Sequence, residues 1–285
     1  MRLEIHYTYK CNQNCVFCPV LRHPKKDPSL SDIKKVLTNI SKKDIVDISG
    51  GEPTLRKDIF ELISAIRKKT KKVYITTNAI LLNKRMIEKF IERGITTFLI
   101  SFHSHLPEIT KKITKVDSFP TIYTNLKLLS NYNVNIITNT IITKYNADTI
   151  IDTIKFMHNN FNHISKHKIT YPRYYKFKKV TYSCKTNLLS LSECKQYLSG
   201  IKYLPRDLKS KVYIENIPKC VLKHNKNNDL DWDAKLLTID GIVQSLDNKR
   251  YYMQKCIKCK SKSNCQGLHK FYNLYFDDFK IVDSI

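Results

Sequence analysis

Three cysteines near the N-terminus, in the segment Cys11-Asn-Gln-Asn-Cys15-Val-Phe-Cys18, have the type and spacing for metal chemistry. Thiolates are the usual ligands of iron–sulfur clusters. Three thiolates on a four-iron cubane leave one iron open to an outside ligand. A structural zinc site is the competing reading; it normally has four closed ligands, and His23 stands where it could be the fourth. A second set follows near the C-terminus, Cys256-Ile-Lys-Cys259 and then Cys265, with Gly267 and His269 beyond. A cluster or a zinc knuckle could be built there. Nine cysteines, an odd number, in a chain with no secretory signal do not suggest a disulfide framework. A third motif is Ser49-Gly50-Gly51-Glu52-Pro53, which takes two of only six glycines. Glycine lets a backbone approach a ligand closely, and Glu52 offers an acceptor for an ammonium group.

The elements that must position these residues alternate between strand and helix. Leu3, Ile5 and Tyr7 alternate along a first strand, and the cysteine loop leaves its end. Ile33, Val36, Leu37 and Ile40 form one face of a helix, with Ser29 or Ser31 as its N-cap. Strands follow at 44–49, 72–76, 96–101, 134–142 and roughly 164–171. Helices between them carry Ile59, Phe60, Ile63 and Ile66, then Met86, Ile87, Phe90 and Ile91 before Gly94, then roughly 119–131, then Ile150, Ile151, Ile154 and Met157. Six β-α units predict a parallel sheet with right-handed crossovers. Six are too few to close an eight-stranded barrel, so a partial (β/α)6 TIM-like barrel is expected, with a small Cys-rich C-terminal extension. One further helix is expected near 190–199, then short strands and a loop around Trp232. The boundary is placed so that residues 1–184 form the core domain and 185–285 the extension. Loops at the C-terminal ends of parallel strands are where such barrels keep their chemistry.

Read together, these motifs resemble the radical S-adenosylmethionine (SAM) superfamily over roughly residues 1–170. The signature C-x3-C-x-φ-C is matched with Phe17 before the last cysteine, and Gly50-Gly51-Glu52-Pro53 resembles the motif that binds the SAM amino group. The resemblance implies a [4Fe–4S] cluster on Cys11, Cys15 and Cys18, chelation of the open iron by SAM, and reductive cleavage to a 5′-deoxyadenosyl radical. It implies that Phe17 packs near the adenine. Thr77-Asn78-Ala79 stands where many members have Thr-Asn-Gly, and Ser101 and Asn139 stand on strands that often help hold SAM. His103 and His105 follow the fourth strand on the active face, and Arg22 and His23 could shield the cluster.

The tail resembles the twitch and truncated SPASM extensions of the superfamily, which bind auxiliary clusters. A full SPASM core would have cysteines where this chain has Leu246 and His269, so a single second [4Fe–4S] cluster on Cys256, Cys259 and Cys265 is implied. Its fourth ligand is Cys220 or, alternatively, His269. Such extensions imply a peptide or protein substrate (crosslink, thioether or epimerisation). The alternatives are a small molecule of cofactor or sugar metabolism, an RNA, or a zinc-binding protein that is no enzyme. A flavodoxin or ferredoxin-type electron donor is implied. The first strand begins at once, so a separate leader-recognition protein is expected for a peptide substrate. Cys184 and Cys194 could quench a radical, though a lone cysteine is more often a small apolar residue. The basic and aromatic run from Tyr171 to Lys179 could stack bases or grip a peptide.

The net charge of +25 permits nucleic acid as a partner. The scattered lysines and abundant Asn and Ile are equally explained by an AT-rich coding sequence, and nucleic acid is not favoured. No run approaches ~20 apolar residues, and the first residues are no signal peptide. A cytoplasmic protein with no membrane partner is expected.

Overall fold

The structure is a computed structural model; it describes residues 1–18, 20, 26–172, 187–222, 235–238, 241–243, 250–265, 267–269, 272 and 276–278. The six expected strands form: β1 (Arg2–Thr8), β2 (Ile45–Gly50), β3 (Lys72–Thr77), β4 (Thr97–Ser101), β5 (Asn135–Ile141) and β6 (Ile164–Thr170). Two further parallel strands extend the sheet. β7 (Val212–Glu215) pairs with β6, and β8 (Lys235–Thr238) pairs with β1. β9 (Gly241–Val243) turns back antiparallel, giving the order β7-β6-β5-β4-β3-β2-β1-β8-β9. Eight parallel strands therefore make the partial barrel, and strands from both sides of residue 184 share its sheet. A separate pair, β10 (Arg250–Tyr251) with β11 (Leu268–His269), brackets the C-terminal cysteines.

The helices are α1 (Leu30–Val36), α2 (Ile59–Arg67), α3 (Lys84–Glu92), α4 (Pro107–Thr114), α5 (Phe119–Leu129), α6 (Ile150–Asn160), α7 (Leu191–Leu198) and α8 (Arg206–Lys211). Ser29 is the N-cap of α1, accepting from the amide of Asp32. Gly94, at φ +79°, ends α3, where a Cβ would be strained. Ser190 and Glu193 start α7 with an N-terminal capping box.

Strand periodicity divides the side chains. Leu3, Ile5, Val46, Ile48, Val73, Ile75, Phe98 and Ile100 are buried in a core with Leu62, Ile63, Ile87 and Phe90 of the helices. Each such side chain stabilises the fold by about 1.5–3 kcal/mol on burial. The alternate residues point the other way, into the barrel, and many of them are polar. A second apolar cluster joins α6, α7 and β7 to Val221, Leu268 and Tyr272. Among the described residues no helix is long and apolar enough to cross a membrane.

Candidate active site

The loop that leaves β1 carries Cys11, Cys15 and Cys18, and it is held from two sides. On one side Gly51 N donates to Thr8 O at 2.6 Å and Glu52 N to Lys10 O at 2.8 Å. On the other, Asn14 N and Val16 N donate to Thr114 O and Ile113 O, at 2.8 and 2.9 Å. Those acceptors are carbonyls of the last turn of α4, which a helix leaves without internal partners. The sequence pattern predicts no element between the fourth strand and residue 119, so α4 is an addition by the structure. Asp27 adds a third tie, accepting from Thr8 Oγ1 and from Tyr9 N at 2.8 and 2.7 Å.

The two glycines have a different use from the one expected. A Cβ on Gly51 would stand 2.0 Å from Lys10 O, and one on Gly50, at φ +115°, 2.4 Å from Thr8 O. They make room for the cysteine loop itself. Ala79 shows the reverse case, an alanine at φ +64° where relatives often carry glycine. Gly51→Ala should therefore destabilise the protein by at least about 2 kcal/mol. Ala79→Gly should cost nothing, or gain up to ~1 kcal/mol by relieving the left-handed strain. Urea denaturation midpoints of the two variants check both signs.

Glu52 is almost completely buried, at 1% exposed. Its Oε1 accepts from Thr54 N (3.1 Å), Thr54 Oγ1 (2.6 Å) and Thr77 Oγ1 (2.8 Å), and its Oε2 from Asn78 N (2.7 Å). The carboxylate thus ties the end of β2 to the end of β3. Burial raises its pKa, against the pull of these donors. Asn78 in turn donates to Asn12 Oδ1 at 2.7 Å and to Cys11 Sγ at 3.7 Å, and Gln13 N donates to the same sulfur at 3.4 Å. Burial pushes the Cys11 thiol up to about 11 and the Cys15 thiol higher, so loading a metal here must release protons.

Cys11, Cys15, Cys18, Phe17, Gly50, Gly51, Glu52, Asn78, Ser101 and Asn139 all line one cavity of about 280 Å³ inside the barrel. Pro53, also expected at the site, starts a short 3-10 turn (Pro53–Leu55) behind it. Phe17 meets the ring of His103 edge-on, with centroids 4.9 Å apart. His103 is fixed by accepting from Ile141 N at Nδ1, and burial lowers its pKa to about 4, so it stays neutral around pH 7. His105 instead bonds Thr153 on α6 and does not line the cavity. Asn139 accepts from Thr170 Oγ1 at 2.7 Å.

The sequence reading missed the far end of this chamber. Arg2, Glu4, His6, Asp47, Thr76, Lys168, Thr170 and Glu215 line it as well. Their signal was present in the alternation: Arg2, Glu4 and His6 interleave with Leu3, Ile5 and Tyr7. In a strand covered on both faces, polar residues at every second place look into the barrel.

A second cleft is lined by Cys220, Cys256, Cys259 and Cys265, together with Met253, Tyr251, Tyr252 and Gly267. Cys220 is buried on a 3-10 turn (Lys219–Leu222) just after β7. Gly267 N donates to Cys265 Sγ at 3.4 Å. Gly267, at φ +64°, adopts the left-handed conformation that favours glycine. The side chain of His269 lies outside the described residues. Among the described residues no three His, Cys, Asp or Glu side chains are arranged to hold a single metal ion. Cys194 is buried in the apolar cluster of α7 and lines neither cavity, so a radical-quenching role finds no support. Cys184, Arg22, His23, Trp232 and residues 173–179 lie outside the described residues.

The Radical SAM superfamily model matches residues 5–157. A probable GTP 3′,8-cyclase of Methanocaldococcus jannaschii is 35% identical over 132 residues, 44% of each chain. The GTP 3′,8-cyclase of Clostridium perfringens is 29% identical over 168 residues, 55% of this chain and 52% of the relative. The chain spans about half the length of the curated relatives it matches. Among solved structures, Streptococcus suis SuiB bound to S-adenosylmethionine is similar with TM-score 0.70, at 17% identity over 100% of this chain and 76% of that one. anSMEcpe with bound AdoMet and Kp18Cys peptide gives 0.67, at 16% identity over 98% and 96%.

Proposed function

The chain belongs to the radical SAM superfamily, and from that premise we propose that it modifies a small polar molecule held inside the barrel, with SAM and a [4Fe–4S] cluster at the mouth of the chamber. Cys11, Cys15 and Cys18 would hold the cluster; their thiol chemistry, their place on the chamber wall and the two donors at the Cys11 sulfur fit it. When bound, the pair supplies one-electron cleavage of SAM to a 5′-deoxyadenosyl radical. Phe17, Gly50, Gly51, Glu52, Asn78, Ser101 and Asn139 would form the SAM end, with Glu52 as the charge facing the amino group. A flavodoxin or ferredoxin-type donor would bring the electron.

The observation that carries the small-molecule reading is the chamber beyond the thiols, walled by buried charged and hydroxyl side chains of the strands. Such walls orient a compact polar ligand, and the barrel shields a reactive radical from water. The GTP 3′,8-cyclase relatives, whose names describe chemistry on a small molecule, support the same class. A second, auxiliary [4Fe–4S] cluster is proposed on Cys220, Cys256, Cys259 and Cys265, in a twitch-like segment that follows β7, while β7 and β8 belong to the barrel sheet. Cys220 is proposed as the fourth ligand, since it lines the same cleft as the other three; His269 is the alternative.

A peptide substrate is the second reading, favoured by those C-terminal cysteines. SuiB was solved bound to precursor peptide SuiA and anSMEcpe with Cp18Cys and Kp18Cys peptides. The two readings part in one assay. Anaerobically reconstituted protein with SAM and dithionite should form 5′-deoxyadenosine. The low-molecular-weight ultrafiltrate of a cell extract should accelerate it. Acceleration by the retained macromolecular fraction alone would replace the small molecule with a peptide or protein, and no SAM cleavage would reject both.

A further inference from the structure

At the cluster end of the chamber one side chain is firmly held on one edge and unpaired on the other. His103 follows β4, is 5% exposed and lines the chamber. Its Nδ1 accepts from Ile141 N at 3.3 Å. A backbone N–H can only donate, so the proton of the neutral imidazole sits on Nε2, which is therefore a donor. The pose is fixed from behind. Asn146, fully buried, donates from Nδ2 to His103 O at 2.7 Å and to Ile141 O at 3.0 Å. Its Oδ1 accepts from Thr143 N and Thr143 Oγ1 at 2.7 and 3.0 Å. Thr140 Oγ1 donates to Phe102 O at 2.6 Å. The ends of β4 and β5 are thereby locked together, with the imidazole–amide bond between them.

No group among the described residues meets Nε2 of His103. The described side-chain polar atoms that are both sealed and unpartnered are Arg2 Nε, Tyr7 Oη and His167 Nε2. Nε2 of His103 is not one of them, so it keeps surface that a ligand can reach. A donor held this firmly in a buried place calls for an acceptor. Phe17, which also lines the chamber, meets the imidazole edge-on, with 4.9 Å between centroids and 81° between planes. The two rings form a corner. A flat base on the face of Phe17 would offer its edge to a donor lying in the imidazole plane. The donor is also uncharged, so it sets no like charge beside the sulfonium of SAM.

We propose that His103 reads the adenine of SAM, donating from Nε2–H to a ring nitrogen of the base, and that Asn146 and the Ile141 amide are the groups that position it. The proposal rests on the SAM end described under the proposed function and deepens it, adding a binding residue from the segment after β4. His105, two residues further on, is turned to Thr153 and takes no part.

Equilibrium dialysis of the cluster-reconstituted protein tests it. The probes are 5′-deoxyadenosine and its 1-deaza, 3-deaza and 7-deaza forms, in each of which one ring nitrogen becomes a C–H. One of the three should bind the wild-type protein about five- to tenfold more weakly than the parent, the loss of one hydrogen bond. His103→Phe should weaken the parent by a similar factor and bind that deaza form as well as it binds the parent. His103→Gln, whose amide can donate from near the place of Nε2, should regain most of the loss. His103→Asn, whose amide reaches only as far as Nδ1, should not. A purely structural role would lower the urea midpoints of the variants and leave the deaza series flat. Equal binding of all the probes to the wild-type protein overturns the proposal, as does a deaza penalty undiminished in His103→Phe. The wild-type comparison needs no variant, so it stands even where a substitution unfolds the chain. SAM dialysed against the same wild-type protein reports separately on the site beneath the proposal: no binding of SAM would remove that site, and the role of His103 with it.

Discussion

Replacing Glu52 by glutamine should destabilise the protein by about 3–5 kcal/mol, a loss typical of breaking a buried charged network. The substitution keeps shape and volume, so packing cannot be the cause. Two of the four donors onto the carboxylate are backbone N–H groups, Thr54 N on Oε1 and Asn78 N on Oε2, and neither can turn away. A glutamine amide has one oxygen and one NH2 group. Whichever way it is placed, one backbone N–H faces an N–H. Thr54 and Thr77 hydroxyls can rotate to accept; the amides cannot. The loss should appear in urea unfolding of metal-free protein, with neither cluster nor SAM present. Binding of SAM to reconstituted protein should weaken as well, if the same carboxylate faces its amino group. Unchanged stability with weakened SAM binding would make Glu52 a ligand only, and the β2–β3 tie unimportant.

The same residue shows what could be read from the sequence and what could not. The motif Gly50-Gly51-Glu52-Pro53 was legible as a site because its residue types are rare together and lie at a strand end. The work that its glycines do was not legible. They admit the carbonyls of Thr8 and Lys10, a contact between residues about forty apart that no local pattern records. The six β-α units were legible because Ile, Leu and Val recur with the strand and helix periods. α4 was not: of its eight residues only Ile109 and Ile113 are apolar aliphatics, and two of its buried residues are Thr110 and Thr114. β7 was legible only as one of the short strands expected after α7; with four residues behind a short, basic helix, it carries no sign that it joins the parallel sheet. Its pairing with β6 is what brings Glu215 into the chamber beside Lys168.

Arg2, Glu4 and His6 were passed over for a different cause. Attention to the apolar half of an alternating strand finds the core and discards the other half. In a barrel strand that half is the wall of the site. The chain as a whole carries a large positive charge while its described chamber wall carries more acids than permanent cations. Net charge therefore describes the chain as a whole and not the described wall of the chamber.

Cys220→Ala should halve the iron of the reconstituted protein, from about eight to about four per chain, as expected when one of two cubanes is lost. Cys220 is the residue on which the second site turns. It comes from a different part of the chain than Cys256, Cys259 and Cys265, and only the fold carries it to their cleft. It is buried, and it follows Glu215 by five residues on the segment that leaves β7. The variant removes one small side chain from the second apolar cluster, so a modest fall in stability, about 1–2 kcal/mol, accompanies the loss of iron. Slow 5′-deoxyadenosine formation in the absence of substrate should persist, because Cys11, Cys15 and Cys18 line the other cavity. Cys15→Ala makes the opposite pattern: iron also falls by about half, and SAM cleavage is abolished. Two variants that each lose half the iron but differ wholly in cleavage would separate the sites. Full iron retention in Cys220→Ala would return the fourth-ligand role to His269 or to a ligand from outside the chain. Zinc recovered in place of iron from the wild-type tail would remove the auxiliary cluster, and with it the support for the peptide reading.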